Sequence, residues 1–258
     1  MPPPRERSEA MGGKGEVIVA LDTDSSDEAL SLVERLMPDI VMYKVGMQLF
    51  YSCGPAVIHN IAALGARVFL DLKLHDIPAT VGRAIATLVM RGVDILDVHA
   101  AGGSDMMKEA LAGVSAASRA SGVQPPRVIA VTVLTSIDRD TYTREIAPGC
   151  DIGDAVVRMA RIARECGLAG VVTSAFEVAG IRKACGEDFV TVVPGVRPAW
   201  AADAYDQRRY MTPRQAVLAG ADYLVVGRPI TRAESPRNAA LAVLDEVKEA
   251  RHDAGHGC

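Results

Sequence analysis

Arg67-Val68-Phe69-Leu70-Asp71-Leu72-Lys73-Leu74-His75-Asp76-Ile77-Pro78 is a hydrophobic run that ends in two carboxylates and an amine before a proline. The first four residues read as a strand. Side chains at i and i+2 share one face of a strand, so Asp71 and Lys73 should project together at its C-terminal end. Pro78 suits the first turn of a helix, which places Asp76 in the connecting loop. The stretch is therefore one βα unit with its polar groups gathered at the strand's end. An exposed ion pair would be the plain alternative, and such pairs contribute little stability.

The unit recurs along the chain. Short runs rich in Val, Ile and Leu alternate with helix-length amphipathic segments, and eight strands are expected at 17–21, 40–44, 68–72, 95–98, 128–134, 170–173, 189–193 and 223–226. Their continuous apolar character implies burial on both faces. Ser25-Ser26-Asp27-Glu28 has capping-box spacing, and Ala29, Leu32, Val33 and Leu36 follow as one apolar stripe. The last helix repeats the pattern with Ala240, Leu241, Leu244 and Val247. Eight βα units over residues 16–250 match a single-domain (β/α)8 TIM barrel in number and size. A doubly wound open sheet is the alternative, but Ala20-Leu21-Asp22-Thr23-Asp24 stands where a dinucleotide fold would carry its Gly-x-Gly-x-x-Gly turn.

Composition sets further bounds. With 258 residues, 49% of them hydrophobic, the chain can bury roughly 70–75% of its unfolded surface without disulfide or metal support. A formal net charge of −4 argues against general nucleic-acid binding, so any anionic ligand must be held by local groups. The five cysteines, Cys53, Cys150, Cys166, Cys185 and Cys258, lack paired spacing and suggest neither a zinc site nor a disulfide framework. The longest uncharged stretch, 45–66, is interrupted too often for a membrane span. Residues 1–15 read as a disordered extension and 251–258 as a loose tail, in which His252 and His256 are solvated rather than metal-binding.

In a barrel the C-terminal strand ends share one mouth. Strand by strand, the polar residues expected there are Asp22, Lys44, Asp71 with Lys73, Asp97 with His99, Thr135, Gly195-Val196-Arg197 and Gly227-Arg228. Charges at a mouth need partners and do little for folding, so this collection points to chemistry. The two Gly-Arg sites fall on strands seven and eight, where barrels commonly bind phosphate. Between them, 198–212 forms a long polar connection with Trp200, Gln207, Arg208 and Arg209, of the kind that serves as a lid. His75 and His99 receive no proton-transfer role. Asp97 stands equally as a supporting partner of the mouth or as a buried structural carboxylate.

Lys44, Asp71-x-Lys73-x-x-Asp76-Ile77-Pro78, Pro194-Gly195-Val196-Arg197, Asp206-Gln207-Arg208 and Val226-Gly227-Arg228, in this order, make the chain resemble the orotidine 5'-phosphate decarboxylases over about residues 16–250. Tyr205 precedes Asp206 where a glycine is common in bacterial relatives. The resemblance implies a cytoplasmic homodimer of barrels that converts orotidine 5'-phosphate to uridine 5'-phosphate and CO2, the last step of UMP biosynthesis, without metal or organic cofactor. It implies that Lys44, Asp71 and Lys73 form a charged network completed by Asp76 of the partner subunit, with Ile77 and Thr80 beside it. Lys73 would be the proton donor. Asp22 and Lys44 would hold the ribose, Thr135 the pyrimidine edge, and Arg197, Gln207, Gly227 and Arg228 the phosphate. Two rivals stay open: a magnesium-dependent barrel acting on sugar phosphates as decarboxylase or aldolase, and a catalytically silent phosphate-binding barrel.

Overall fold

The computed structural model describes residues 14–204 and 211–255. Eight parallel strands close into a barrel in sequence order, β1 (Glu16–Ala20), β2 (Met42–Gly46), β3 (Arg67–Leu74), β4 (Val93–His99), β5 (Arg127–Val131), β6 (Gly170–Val172), β7 (Val190–Pro194) and β8 (Tyr223–Val226), with β8 returning to pair with β1. The expected (β/α)8 architecture is thus the one adopted. Helices cover the outside, so each strand is apolar on both faces.

The two-residue period sorts the interior into layers. Ile18, Met42, Phe69, Ile95, Ile129, Val172, Val190, Val192 and Val225 pack as one apolar cluster inside the barrel. One period below it, Arg67 of β3 pairs with Glu16 of β1, and Arg127 of β5 donates to the Tyr223 hydroxyl at 3.0 Å. One period above it, the same alternation delivers Lys44, Asp71 and Asp97 to the mouth. The pleat that buries Phe69 therefore also aims Asp71. A second, larger core lies between strands and helices, where Ala29, Leu32, Val33 and Leu36 form the expected stripe of the helix Ser26–Leu36. Ser25 caps that helix by accepting the Glu28 amide, while the Glu28 carboxylate accepts instead from the Thr23 hydroxyl at 2.6 Å, so the reciprocal half of a capping box is missing.

Strand boundaries differ from expectation where local bonds compete with the ladder. Strand two starts at Met42 because the Ile40 amide still closes the end of the preceding helix on the Leu36 carbonyl. Strand five ends at Val131: the Thr132 amide makes the last bond to the Val172 carbonyl, and beyond it the Ile137 amide closes a turn on the Leu134 carbonyl. The last helix, Pro236–Gly255, runs through residues expected as a loose tail. Arg251 there donates to the Lys14 carbonyl and Asp253 pairs with Arg214, which ties down that turn. Its buried stripe is Ala240, Val243, Val247 and Ala250, with Leu241 and Leu244 only partly covered.

Helix Pro78–Thr87, which fixes where the β3 loop goes, lies close against helix Gly103–Ser121. A Cβ on Gly113 would come within 2.2 Å of the Gly82 carbonyl oxygen, so this approach requires glycine. Away from the mouth, the buried Arg182 guanidinium donates to the carbonyls of Gly220, Glu187 and Phe189 and pairs with the buried Asp222, joining β7 to β8. Removing one member of a buried pair leaves an uncompensated charge. Asp222→Ala is expected to lower unfolding stability by about 3–5 kcal/mol in urea titrations. A loss below about 1 kcal/mol would contradict this role, since exposed pairs give that little.

Candidate active site

The mouth is built from consecutive strand ends. Lys44 Nζ lies 3.0 Å from Asp22 Oδ1 and 3.7 Å from Asp71 Oδ2, and Lys73 Nζ pairs with Asp71 Oδ1. Asp22, Lys44, Asp71 and Lys73 are thus brought together as a chain of alternating charge from β1, β2 and β3. Gly46 lies beneath the Lys44 ammonium, where a Cβ would sit 2.9 Å from Nζ, a contact that a small shift of the lysine end relieves.

Lys73 takes a left-handed backbone conformation, φ +50°, unique among the described non-glycine residues. A lysine gains nothing locally from that conformation and is held in it at a cost of about 1–2 kcal/mol. The constraint comes from β4: Asp97 Oδ1 accepts the Leu72 amide at 2.9 Å and the Lys73 amide at 2.8 Å. Asp97 is only 1% exposed.

The two buried carboxyls, Asp97 and Asp71, differ in charge state for physical reasons. Burial pushes the Asp97 carboxyl well above the usual carboxylate range, and the neighbouring Asp71 charge adds to this. Burial alone would raise Asp71 as well. A hydrogen bond with Asp97 and the ammonium groups of Lys44 and Lys73 outweigh it, so the Asp71 carboxyl lies below its usual range. A neutral, protonated Asp97 beside an ionised Asp71 satisfies both directions.

A pH dependence follows. Below the ordinary carboxylate value, about 4, Asp97 is protonated folded or unfolded. As pH rises above it, the unfolded chain releases that proton while the folded chain keeps it, so stability falls until the raised folded value is passed. Asp71 acts in the other direction and in another window, losing its stabilisation only as pH drops through its lowered folded value. Asp97→Asn should therefore be more stable than wild type at pH 8, with the gap closing toward pH 4 in thermal melts. A gap independent of pH would show that Asp97 is ionised.

Other expected site residues stand around this cluster. Asp76 is exposed and accepts the Ile77 amide at 2.6 Å, and Ile77 is 67% exposed, so neither joins the charged chain. Thr80 is half-buried in the first turn of helix Pro78–Thr87. Thr135, beyond β5, lines a pocket with Val133, Leu134, Ile137, Ser174 and Glu177. Arg197 is buried after β7, beyond Gly195, whose φ of +76° requires glycine, and the Arg197 amide donates to the Met211 carbonyl at 3.0 Å. Arg228 is exposed after β8. Gly227 lies against Asp22, with a Cβ there falling 3.5 Å from Asp22 Oδ2, so the eighth strand end adjoins the first. Gln207 falls outside the described residues. His75 and His99 stack with centroids 5.2 Å apart. Burial, then the charges of His75 and Lys73, hold His99 below its usual value, and its Nδ1 accepts the Ala101 amide at 3.2 Å. Sequence reading left Asp97 undecided; its strand-end position was the available signal.

The family model described as orotidine 5'-phosphate decarboxylase / HUMPS family matches residues 15–243, nearly the whole barrel. The chain belongs to that family. It is 46% identical to the orotidine 5'-phosphate decarboxylase of Syntrophomonas wolfei over 93% of this chain and 100% of that one. It is 48% identical to the enzyme of that name from Moorella thermoacetica, over 92% of this chain and 94% of the relative. The crystal structure of orotidine 5'-phosphate decarboxylase from Lactobacillus acidophilus superposes with a TM-score of 0.79 at 38% identity, covering 91% of this chain and 99% of that one. The decarboxylase-family barrel thus carries its cluster of charge at the end expected of the fold. No helix among the described residues is long and apolar enough to cross a membrane.

Proposed function

We propose that this enzyme, a carbon-carbon lyase, decarboxylates orotidine 5'-phosphate to uridine 5'-phosphate, the closing step of UMP synthesis. The observation that carries the reading is the alternating Asp22, Lys44, Asp71, Lys73 chain at the barrel mouth. Breaking the bond between ring carbon C6 and the carboxylate releases CO2 and leaves an electron pair on C6. The Lys73 ammonium is the group suited to that moment, offering positive charge where negative charge develops and then a proton to the carbon. Asp71, ionised beside it, holds Lys73 in place and faces the substrate carboxylate. Lys44 and Asp22 bind the ribose hydroxyls, Thr135 the pyrimidine edge, and Gly227 lets the backbone approach the ligand. No step requires a metal or organic cofactor.

Asp76 and Ile77 project from the mouth, and Met47 and Tyr51 after β2 are also large and exposed, at 46% and 69%. A second subunit that covers this rim would bring Asp76 of the partner subunit, with Ile77 and Thr80 beside it, to the Lys73 cluster, giving a homodimer with shared sites.

Arg228 and Arg197, with Gln207, grip the phosphate, whose binding energy positions the far end of the substrate. Arg228→Ala should lower kcat/KM for orotidine 5'-phosphate by roughly 100-fold, about 3 kcal/mol for two charge-assisted hydrogen bonds. The loss should be confined to the phosphorylated substrate, so an equal loss on orotidine itself would contradict the assignment.

The deciding experiment follows orotidine 5'-phosphate absorbance with purified, chelator-treated enzyme, beside Lys73→Ala as the control for host activity. Loss of absorbance with wild type alone supports the reading. Turnover that needs added magnesium, or appears only with sugar phosphates, would replace it with the metal-dependent rival.

A further inference from the structure

Asp97 is unlike the other charged residues of the mouth. It is enclosed in the barrel wall, 1% exposed, and makes no ion pair of its own among the described residues. Its Oδ1 instead takes two successive amides from the neighbouring strand, Leu72 at 2.9 Å and Lys73 at 2.8 Å. Those amides flank the point where β3 leaves its regular register with β4, between Leu70 and Leu74, and where Lys73 turns to φ +50°. Backbone held in that region needs an outside constraint, and a buried acceptor for two amides supplies one.

We propose that Asp97 is a positioning residue, whose carboxyl oxygen holds the Leu72 and Lys73 amides and thereby fixes the left-handed turn that points the Lys73 ammonium at Asp71 and the reacting carbon. The protonated state described above suits this role, because a neutral carboxyl accepts amides without adding a third negative charge beside the substrate carboxylate. Without the anchor, the 73 peptide is free to leave the left-handed turn, and the ammonium loses the fixed direction and distance at which it meets Asp71 and the reacting carbon. A displacement of about 1 Å at a reacting group can cost about 100-fold.

The inference rests on the decarboxylase reading, and the two fail differently. Inactive wild type would overturn that reading. With active wild type, Asp97→Val, which removes the acceptor and keeps a strand-forming side chain, should lower kcat about 100-fold while KM changes less than about 3-fold. Asp97→Asn, which keeps the acceptor, should recover to within about 10-fold of wild-type kcat. A merely structural Asp97 would lower Tm in the valine variant and leave kcat of the folded enzyme intact; that result overturns the inference, as does an asparagine variant no better than valine. Amide hydrogen exchange in the wild-type protein tests the anchor without substrate or folding of a variant. Leu72 and Lys73 should be protected to the level of the β3 core, and exchange as fast as that of Asp76 would overturn the proposal.

Discussion

Lys73→Ala should reduce turnover of orotidine 5'-phosphate by about ten-thousand-fold or more, about 5.5 kcal/mol of transition-state stabilisation, with little change in folding stability. The size follows from the two duties that one group performs. The ammonium neutralises charge as it develops on C6 in a site partly closed to water, and it then delivers the proton that completes the product. Water can replace the second duty slowly but cannot replace the first. Stability should hold because Asp71 keeps Lys44 within 3.7 Å, so the buried carboxylate is not stranded. Single-turnover kinetics and urea titration of the same preparation check both halves. A loss below about 100-fold would move the proton donor elsewhere. A loss of several kcal/mol in stability would mean that the cluster is a folding device.

What the sequence disclosed and what it withheld divide along the period of the strand. Apolar runs with helix-length spacers were enough for eight βα units, because they depend on local geometry; the i, i+2 rule anticipated the meeting of Asp71 and Lys73 but not the left-handed turn at Lys73 through which it occurs. The role of Asp97 depends on the neighbouring strand, because β4 supplies an acceptor to a turn in β3. No pattern within either strand contains that relation. A boundary failed for a similar reason: Ile40 looks like a strand residue but spends its amide on the helix end. The last helix outran its expected end because Arg251 and Asp253 find partners distant in sequence, Lys14 and Arg214.

Mixing two inactive variants should restore activity. Asp76 lies outside the charged chain of its own barrel, on the exposed rim that begins helix Pro78–Thr87, while Lys73 lies within it. If each site takes Lys73 from one subunit and Asp76 of the partner subunit, a dimer of one Lys73→Ala chain and one Asp76→Ala chain contains one site with both residues intact and one with neither. Random reassortment makes about half of the dimers mixed, and one site in two is intact in each, so the mixture should reach about a quarter of wild-type activity. Each variant alone should lie at least about 1,000-fold below wild type, since each lacks a charge at the reacting centre. The rise on mixing is then several hundred-fold and should grow at the rate of subunit exchange, which dilution followed by reconcentration accelerates. No rise after exchange, verified by mass-tagged subunits, would confine the site to one chain. Asp76 would then have to reach Lys73 by movement of its own loop, and the exposure of Ile77, Met47 and Tyr51 would need a different partner.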